Sequence, residues 1–338
     1  MIASLLLSIG LAALFGEAAA AELKRKASDD YGTTYWGSFE SAPFPAKGKS
    51  YKDDTVAVFV PDHFCPVIIK ASPKKKGKGL RTKYECYSER QLKKLKKEGY
   101  RTRLVSEIDI VIHFHGHSNT VDKAMANHKL REQFALSLQN AILVVPQGPV
   151  NSIDSAGGKL EQPGGLKRLT RELLSFLKEQ KIAGKKASIG RIILSSHSGG
   201  YRVAAFCLRV GGVEVSEMFL FDSLYGHVDN YFDWVKGSKS RRLISVYYRD
   251  KPRARSMDLM KLLKNAGIGF ARLQEADMAK ESFKRKTLTK QRIFFIETDL
   301  GHSGCTRGYF AFRDYLFASR LKRVRDTDWF KQTGLDKM

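Results

Sequence analysis

The sequence has little cysteine, little proline and few acidic residues for its length. Four cysteines in 338 residues are too few for a disulfide scaffold to carry the fold, and no Cys/His zinc spacing is present. The 35 Asp+Glu are outnumbered by 59 Lys+Arg, which gives a net charge of +24. This excess predicts attraction to polyanions without choosing among nucleic acid, anionic glycans and anionic membrane surfaces. A hydrophobic fraction of 43% excludes a largely disordered chain.

The amino-terminal segment predicts export. Residues 2–15 form an uncharged apolar run that is too short to span a bilayer comfortably. Ala19 and Ala21 then satisfy the A-x-A pattern that signal peptidase reads. We therefore expect residues 1–21 to be a signal peptide and the mature chain to begin at Glu22, in the periplasm or outside the cell. Because no Lys or Arg precedes the run, a buried amino-terminal helix is the alternative.

The cysteines fall into two groups. Cys65 and Cys86 both lie in the amino-terminal region and could pair in an oxidising compartment. Cys207 lies within an apolar helical pattern and Cys305 lies close to a histidine of interest. We expect these last two to be ordinary packing thiols.

From residue 108 onward, short apolar runs alternate with segments of helical period. The runs predicted as strands are 108–116, 141–149, 191–200, 217–226, 241–250 and 291–302. Continuous apolar strands separated by amphipathic helices are typical of a parallel sheet that is covered on both faces. The sequence therefore predicts an α/β fold, a three-layer α/β/α sandwich with a mostly parallel central sheet.

The region before residue 108 has a different character. Residues 55–64 (TVAVFVPDHF) predict an antiparallel opening strand. Residues 70–103 carry 14 Lys+Arg against 3 acidic residues, and residues 280–292 carry 6 against 1. No repeat and no Pro- or Ser-rich linker divides the chain. We expect one domain over 22–338, monomeric, with a basic insertion at about 70–103.

The segment IILSSHSGGYR has the form of a nucleophile elbow. A buried strand leads directly into Ser198, and a helix follows. The sharp turn requires small residues two before and two after the nucleophile, and Ser196 and Gly200 meet this requirement. A Ser/Gly-rich turn without chemistry is the alternative, so the surroundings must decide.

Three surrounding features favour a serine nucleophile. His302 follows the last strand, where a general base is expected. The backbone N–H of Gly199 can serve an oxyanion hole, and His115-Gly116-His117 follow an earlier strand, so His117 can supply a second N–H supported by its two predecessors. The acid must lie between the serine and the histidine, at Asp222 or Asp250.

These motifs resemble the α/β-hydrolase superfamily, in its esterase-like form, from about residue 55 to the carboxyl terminus. The matching pieces are FVPDHF, HFHGHSN, SHSGG and DLGHSG. The resemblance implies a serine hydrolase that cleaves a carboxylic ester or an amide through an acyl-enzyme on Ser198, with no cofactor and no metal. It does not imply a particular substrate.

One argument favours Asp222 as the acid, and a different argument favours Asp250. Asp222 has apolar neighbours before it and can be buried against an imidazole, whereas Asp250 is flanked by Arg249 and Lys251. The resemblance favours Asp250, because the family more commonly places the acid after that strand. We choose Asp222 on its local environment.

Two other functions compete with the serine hydrolase. His113, His115 and His117 alternate at a strand end and could hold a metal, although the acidic partner of a metallo-hydrolase motif is absent because Ser118 stands there. The basic runs could instead belong to a non-catalytic protein that binds polyanions on a hydrolase scaffold. No motif for specific nucleic-acid binding accompanies them, so we expect an anionic envelope glycan, lipid or polymer as the partner.

Overall fold

The computed structural model describes residues 21–74, 82–325 and 327–336. The predicted signal peptide, apart from Ala21, and residues 75–81 of the basic insertion lie outside these ranges. The strands are β1 (Glu22–Asp29), β2 (Gly32–Ser38), β3 (Thr55–Pro61), β4 (Ile68–Pro73), β5 (Lys83–Cys86), β6 (Tyr100–Val105), β7 (Glu107–Phe114), β8 (Ala141–Pro146), β9 (Ser188–His197), β10 (Glu217–Phe221), β11 (Arg242–Tyr247), β12 (Ala271–Gln274) and β13 (Ile293–Glu297). The α-helices are α1 (Glu89–Lys97), α2 (Val121–Asn127), α3 (Leu130–Leu136), α4 (Gly165–Glu179), α5 (Tyr201–Val210), α6 (Val228–Lys236), α7 (Asp250–Asn265), α8 (Glu275–Met278) and α9 (Ala311–Phe317).

The main sheet has the strand order β1-β2-β3-β8-β7-β9-β10-β11-β13-β12. In this order, every neighbouring pair from β8 through β7, β9, β10, β11 and β13 to β12 is parallel. The pairs β1–β2, β2–β3 and β3–β8 are antiparallel. Parallel strands are joined through helices that cover the faces of the sheet. The prediction of a mostly parallel central sheet is confirmed, and residues 55–61 form the antiparallel strand expected there.

Two hydrophobic cores cover the two faces of this sheet. Ile110 and Ile112 of β7 face one core, which α4, α5, α6 and α7 complete, while Val111 between them faces the other core with α2, α3 and α9. This alternation follows from the two-residue period of a strand. Cys207 and Cys305 are free thiols buried in the first and second core, as packing thiols should be.

The segment of chain between β3 and β7, where the basic insertion was predicted, forms a small second sheet. Its order is β5-β4-β6, and α1 packs on one of its faces. Ile69, Leu95 and Tyr100 form part of its small core. A disulfide joins Cys65 to Cys86 at the end of β5, so the pairing considered from the sequence is present. The side chain of Asn140 exchanges two hydrogen bonds with the backbone of Cys65 and so ties this sheet to the main one.

Several element boundaries differ from the sequence prediction. The segment of helical period between β7 and β8 is divided into α2 and α3, because Lys129 adopts a left-handed φ of 46°. In the last helix, Tyr309 and Phe310 both have φ of 50°, so α9 begins only at Ala311. Among the described residues no helix combines the length and the apolar character needed to cross a membrane.

Candidate active site

The turn after β9 has the geometry of a nucleophile elbow. Ser198 opens a single 3-10 turn between β9 and α5, and its φ of 51° is uncommon for a residue other than glycine. Gly200 must be small, because a Cβ there would lie 2.5 Å from the carbonyl oxygen of Phe114 on the neighbouring strand β7. The turn therefore presents Ser198 at the carboxyl end of the sheet and just before the first turn of α5.

The structure brings Asp222, and not Asp250, to His302. Asp222 follows β10 and is only 3% exposed. Its Oδ2 accepts a hydrogen bond of 2.5 Å from Nδ1 of His302, and its Oδ1 accepts one of 2.9 Å from the backbone N–H of Tyr248. Asp250 is exposed at the first position of α7. Nε2 of His302 is therefore left for another partner.

Ser198 and His302 line one cavity of about 500 Å³. The cavity is also lined by Gly116, His117, His128, His197 and Arg307. It is open to solvent on the side of His302, whose side chain is 40% exposed. A serine and an imidazole whose Nδ1 is held by a carboxylate thus share a space in which a substrate can lie.

The loop after β7 packs directly against the elbow. A Cβ on Gly116 would lie 2.7 Å from Cβ of Ser198, and one on Gly199 would lie 2.2 Å from the imidazole of His117. Among the described residues, the backbone N–H of His117 has no hydrogen-bond acceptor. This close approach places the two predicted oxyanion-hole residues, Gly199 and His117, beside the serine.

The buried imidazole of His115 fixes the backbone of this loop by hydrogen bonds. It is 6% exposed, and its Nδ1 donates to the carbonyl oxygen of Gly116 over 2.8 Å. Its Nε2 accepts from the backbone N–H of Gly148 over 2.9 Å and from the side chain of Gln147 over 3.0 Å. Burial lowers the pKa of His115, which keeps the imidazole neutral and allows Nε2 to remain an acceptor.

The structure does not bring the three alternating histidines together. Nδ1 of His113 bonds Oγ of Ser195, whereas Nε2 of His117 bonds Oγ of Ser155. Burial lowers the pKa of all three imidazoles. Across the described part of the chain, no group of three or more His, Cys, Asp or Glu side chains is arranged to hold a metal ion.

Two residues that hold the site in place were missed by the sequence reasoning. Oγ of Ser223 donates to the carbonyl oxygen of Ser198 over 2.9 Å. Nε2 of His197 donates to the carbonyl oxygen of His302 over 2.9 Å. The only available signals were the positions of these residues, directly after Asp222 and directly before Ser198. Both connect the elbow to the loops that carry the acid and the base.

A buried carboxyl braces the loop that carries His302. Glu275 of α8 is 1% exposed and accepts a hydrogen bond from the hydroxyl of Thr298, whose oxygen accepts from the backbone N–H of Leu300. The other carboxyl oxygen of Glu275 is buried without a partner. Burial raises the pKa of Glu275 from 4.5 to about 7. The folded protein therefore holds a proton on Glu275 that the unfolded chain releases at a lower pH.

This difference predicts that the contribution of Glu275 to the stability of the fold falls as the pH rises towards 7. The contribution of Glu275 is fully present below pH 4.5 and is lost as the pH passes through about 7, where the folded protein also gives up the proton. The loss amounts to about 3 kcal/mol in the free energy of unfolding. In urea unfolding, the free energy of unfolding at pH 8 minus that at pH 5 should be about 3 kcal/mol more positive for Glu275→Gln than for the wild type. The exposed Glu214→Gln serves as control, and equal differences for all three proteins would contradict the assignment.

The main sheet and the helices that cover it resemble those of several solved structures. No protein-family model matches the sequence, and no curated protein matches it. Solved structures with a similar fold include a feruloyl esterase module from Clostridium thermocellum (12% identity, TM-score 0.48, 92% of this chain and 99% of that chain). Another is an S-formylglutathione hydrolase from Agrobacterium tumefaciens (12%, 0.48, 89% and 99%). A third is a fluorophosphonate-binding serine hydrolase from Staphylococcus aureus (10%, 0.42, 85% and 97%).

Proposed function

We propose that the protein is a serine hydrolase that cleaves a carboxylic ester through an acyl-enzyme on Ser198. The observation that carries this proposal is the 2.5 Å hydrogen bond between Asp222 and His302 beside a serine on a strained turn. A buried carboxylate that holds Nδ1 of an imidazole leaves its Nε2 as a base for a hydroxyl. Backbone strain at a serine is a further sign of a functional turn.

Each side chain has a role in the proposed reaction. Oγ of Ser198 attacks the carbonyl carbon while Nε2 of His302 takes its proton. Asp222 stabilises the imidazolium that forms, and the backbone N–H groups of Gly199 and His117 stabilise the oxyanion. His302 then gives the proton to the leaving alcohol. A water molecule, deprotonated by His302, then attacks the acyl-enzyme, and His302 passes that proton to Oγ of Ser198 as the acid is released.

Labelling with a fluorescent fluorophosphonate tests the proposal directly. The reagent phosphonylates a serine only when that serine is activated, so we expect one label per chain, on Ser198, and none on Ser198→Ala. Heat-denatured wild type and the surface variant Ser240→Ala are the controls. Heat-denatured wild type should take no label, and Ser240→Ala should be labelled like the wild type. Equal labelling of wild type and Ser198→Ala, or labelling of neither, would refute a catalytic Ser198 and leave the non-catalytic binding protein as the better description.

The basic insertion supports a second element of the proposal, a docking face for an anionic polymer. Lys70 on β4 lies directly opposite Arg103 on β6, and Arg101 lies two residues away on the same face. All three are exposed. Like charges in directly opposed strand positions destabilise a sheet, and a bound anion relieves this repulsion. We define these three residues as the cationic face.

The second basic stretch has less charge free for such a role. Arg285 is buried in an ion pair with Asp336, and Lys280 pairs with Asp277. Arg292 donates to the backbone carbonyls of Val235, Ser238 and Arg241. Half of the six cations in 280–292 are therefore occupied within the protein, which favours the cationic face as the docking surface.

Heparin chromatography distinguishes the cationic face from the overall charge. We expect Arg101→Gln/Arg103→Gln to elute at a clearly lower salt concentration than the wild type, because these charges act together and are screened by salt. The matched control, Lys284→Gln/Lys286→Gln, removes the same net charge from exposed positions of the second stretch. Equal shifts for the two double variants would mean that only net charge matters.

Export is part of the proposal. The disulfide between Cys65 and Cys86 fits an oxidising compartment, since cytosolic proteins rarely keep such bonds. The apolar run and the A-x-A pattern at Ala19 and Ala21 point to the same destination. A basic hydrolase of this kind would act on an ester substrate in the periplasm or outside the cell, where an anionic polymer of the cell envelope is available to hold it.

A further inference from the structure

The cavity that holds Ser198 and His302 is lined by a positively charged side chain and by no negatively charged one among the residues described. Among the residues described, its lining includes the guanidinium-bearing side chain of Arg307 and no Asp or Glu. The carboxylate of Asp222 is buried behind His302 and is already engaged with His302 and the backbone of Tyr248. The carboxylate of Asp154, which acts on His117, is paired with Lys49. A molecule in the cavity therefore meets an arginine without a neutralising carboxylate.

Arg307 is weakly engaged within the protein. It lies five residues after His302 on the same loop and is exposed. Within the described ranges its side chain makes one hydrogen bond, a long one of 3.4 Å to the carbonyl oxygen of Asn127, and no ion pair. Other arginines of the molecule are occupied, as Arg202 is by Glu161 and Arg313 is by Asp314. A guanidinium has five N–H donors, so most of those of Arg307 remain for a ligand.

A second, independent observation lies on the same cavity wall. His128 is only 3% exposed and lines the cavity, yet its Nδ1 is buried without a hydrogen-bond partner. Burial, followed by the charge of Arg307, lowers the pKa of His128 to about 4, so the imidazole is neutral at pH 7. A neutral imidazole that lines the cavity carries one N–H, and a ligand in the cavity can accept a hydrogen bond from it.

We propose that Arg307, with His128 beside it, forms a subsite for an anionic group carried by the substrate. The inference rests on the proposed ester hydrolase and adds that the preferred esters carry a carboxylate or a phosphate close to the scissile bond. Arginine suits this task because its planar donors bind both groups in a bidentate manner. Arg307 also attracts a negatively charged substrate into the cavity that holds Ser198 and its proposed base, His302.

Matched aryl acetates test the subsite and separate the two kinds of anion. Phenyl acetate and methyl 4-acetoxybenzoate are neutral, 4-acetoxybenzoate carries a carboxylate, and 4-acetoxyphenyl phosphate carries a phosphate. For the wild type we expect kcat/KM to be roughly 10- to 100-fold higher for at least one anionic ester than for the neutral esters, mainly through KM. In Arg307→Gln this ratio should fall to near one, and Arg307→Lys should restore part of it. Added salt should reduce the ratio in the wild type.

The controls keep failure of the subsite distinct from failure of the hydrolase. Arg209→Gln, at an exposed position of α5, should keep the wild-type ratio. If the wild type hydrolyses the neutral esters with no preference for either anion, or if Arg307→Gln keeps the preference, the subsite is refuted and the hydrolase stands. If the wild type hydrolyses none of the four esters and Ser198 takes no fluorophosphonate label, the hydrolase itself is refuted. Cooperative thermal unfolding of each variant confirms that it is folded.

Discussion

Replacing Asp222 by asparagine is expected to lower kcat for a short-chain aryl ester by about 10⁴-fold. The carboxylate now accepts a hydrogen bond from Nδ1 of His302 at 2.5 Å. An asparagine amide presented there can donate instead, which favours the tautomer of His302 that carries its proton on Nε2. An imidazole in that tautomer cannot take the proton of Ser198. KM should change little, because the effect arises in the chemical step.

Asp250→Asn is the matched control for Asp222→Asn. Both substitutions remove one carboxylate charge, and both positions have a left-handed φ, 43° at Asp222 and 52° at Asp250. Because Asp250 is exposed and Asp222 is buried against the histidine, we expect Asp250→Asn to keep most of the activity. The opposite order of effects would assign the acid to Asp250. Comparable losses in both variants would show that neither substitution reports on the histidine alone.

The parallel part of the fold could be predicted because burial leaves a simple pattern. Strands β8 and β10 are buried along their whole length, and apart from Glu217 at the start of β10 they are continuous apolar runs. By contrast, β1 is exposed along nearly its whole length, and its sequence ELKRKASD carries no apolar alternation. Such an edge strand is formed by pairing with β2 and not by burial of its own side chains, and its charges protect the edge from further pairing. No local pattern could reveal it.

The candidate catalytic residues could be recognised from short stretches of sequence, whereas the residues that support them could not. The requirement for small residues around Ser198 is local, so it can be read from five consecutive letters. The hydrogen bonds from Ser223 to the backbone of Ser198 and from His197 to the backbone of His302 join residues 25 and 105 positions apart. Contacts of that separation depend on the order of the strands in the sheet. The contact between Asp222 and His302 also joins distant positions of the chain, so the local environment and the family resemblance could favour different acids.

Gly116→Ala is expected to lower kcat for aryl esters by about 10²- to 10³-fold without unfolding the protein. A Cβ at this position would lie 2.7 Å from Cβ of Ser198, a distance that real Cβ atoms do not tolerate. The elbow is fixed between β9 and α5, so the loop has to withdraw, and it takes the backbone N–H of His117 with it. One of the two donors proposed to stabilise the oxyanion is then too far away, whereas the hydrogen bond between Asp222 and His302 is untouched.

Gly184→Ala is the control for this loop, because nothing lies within 4 Å of a Cβ there. It makes the same chemical change and should keep wild-type kcat and KM. In Gly116→Ala the loss should appear in kcat with little change in KM, since the oxyanion exists only after attack has begun. A kcat within about fivefold of the wild type, in a variant that unfolds cooperatively, would show that the N–H of His117 does not stabilise the oxyanion. The second donor would then have to be sought elsewhere along the cavity wall.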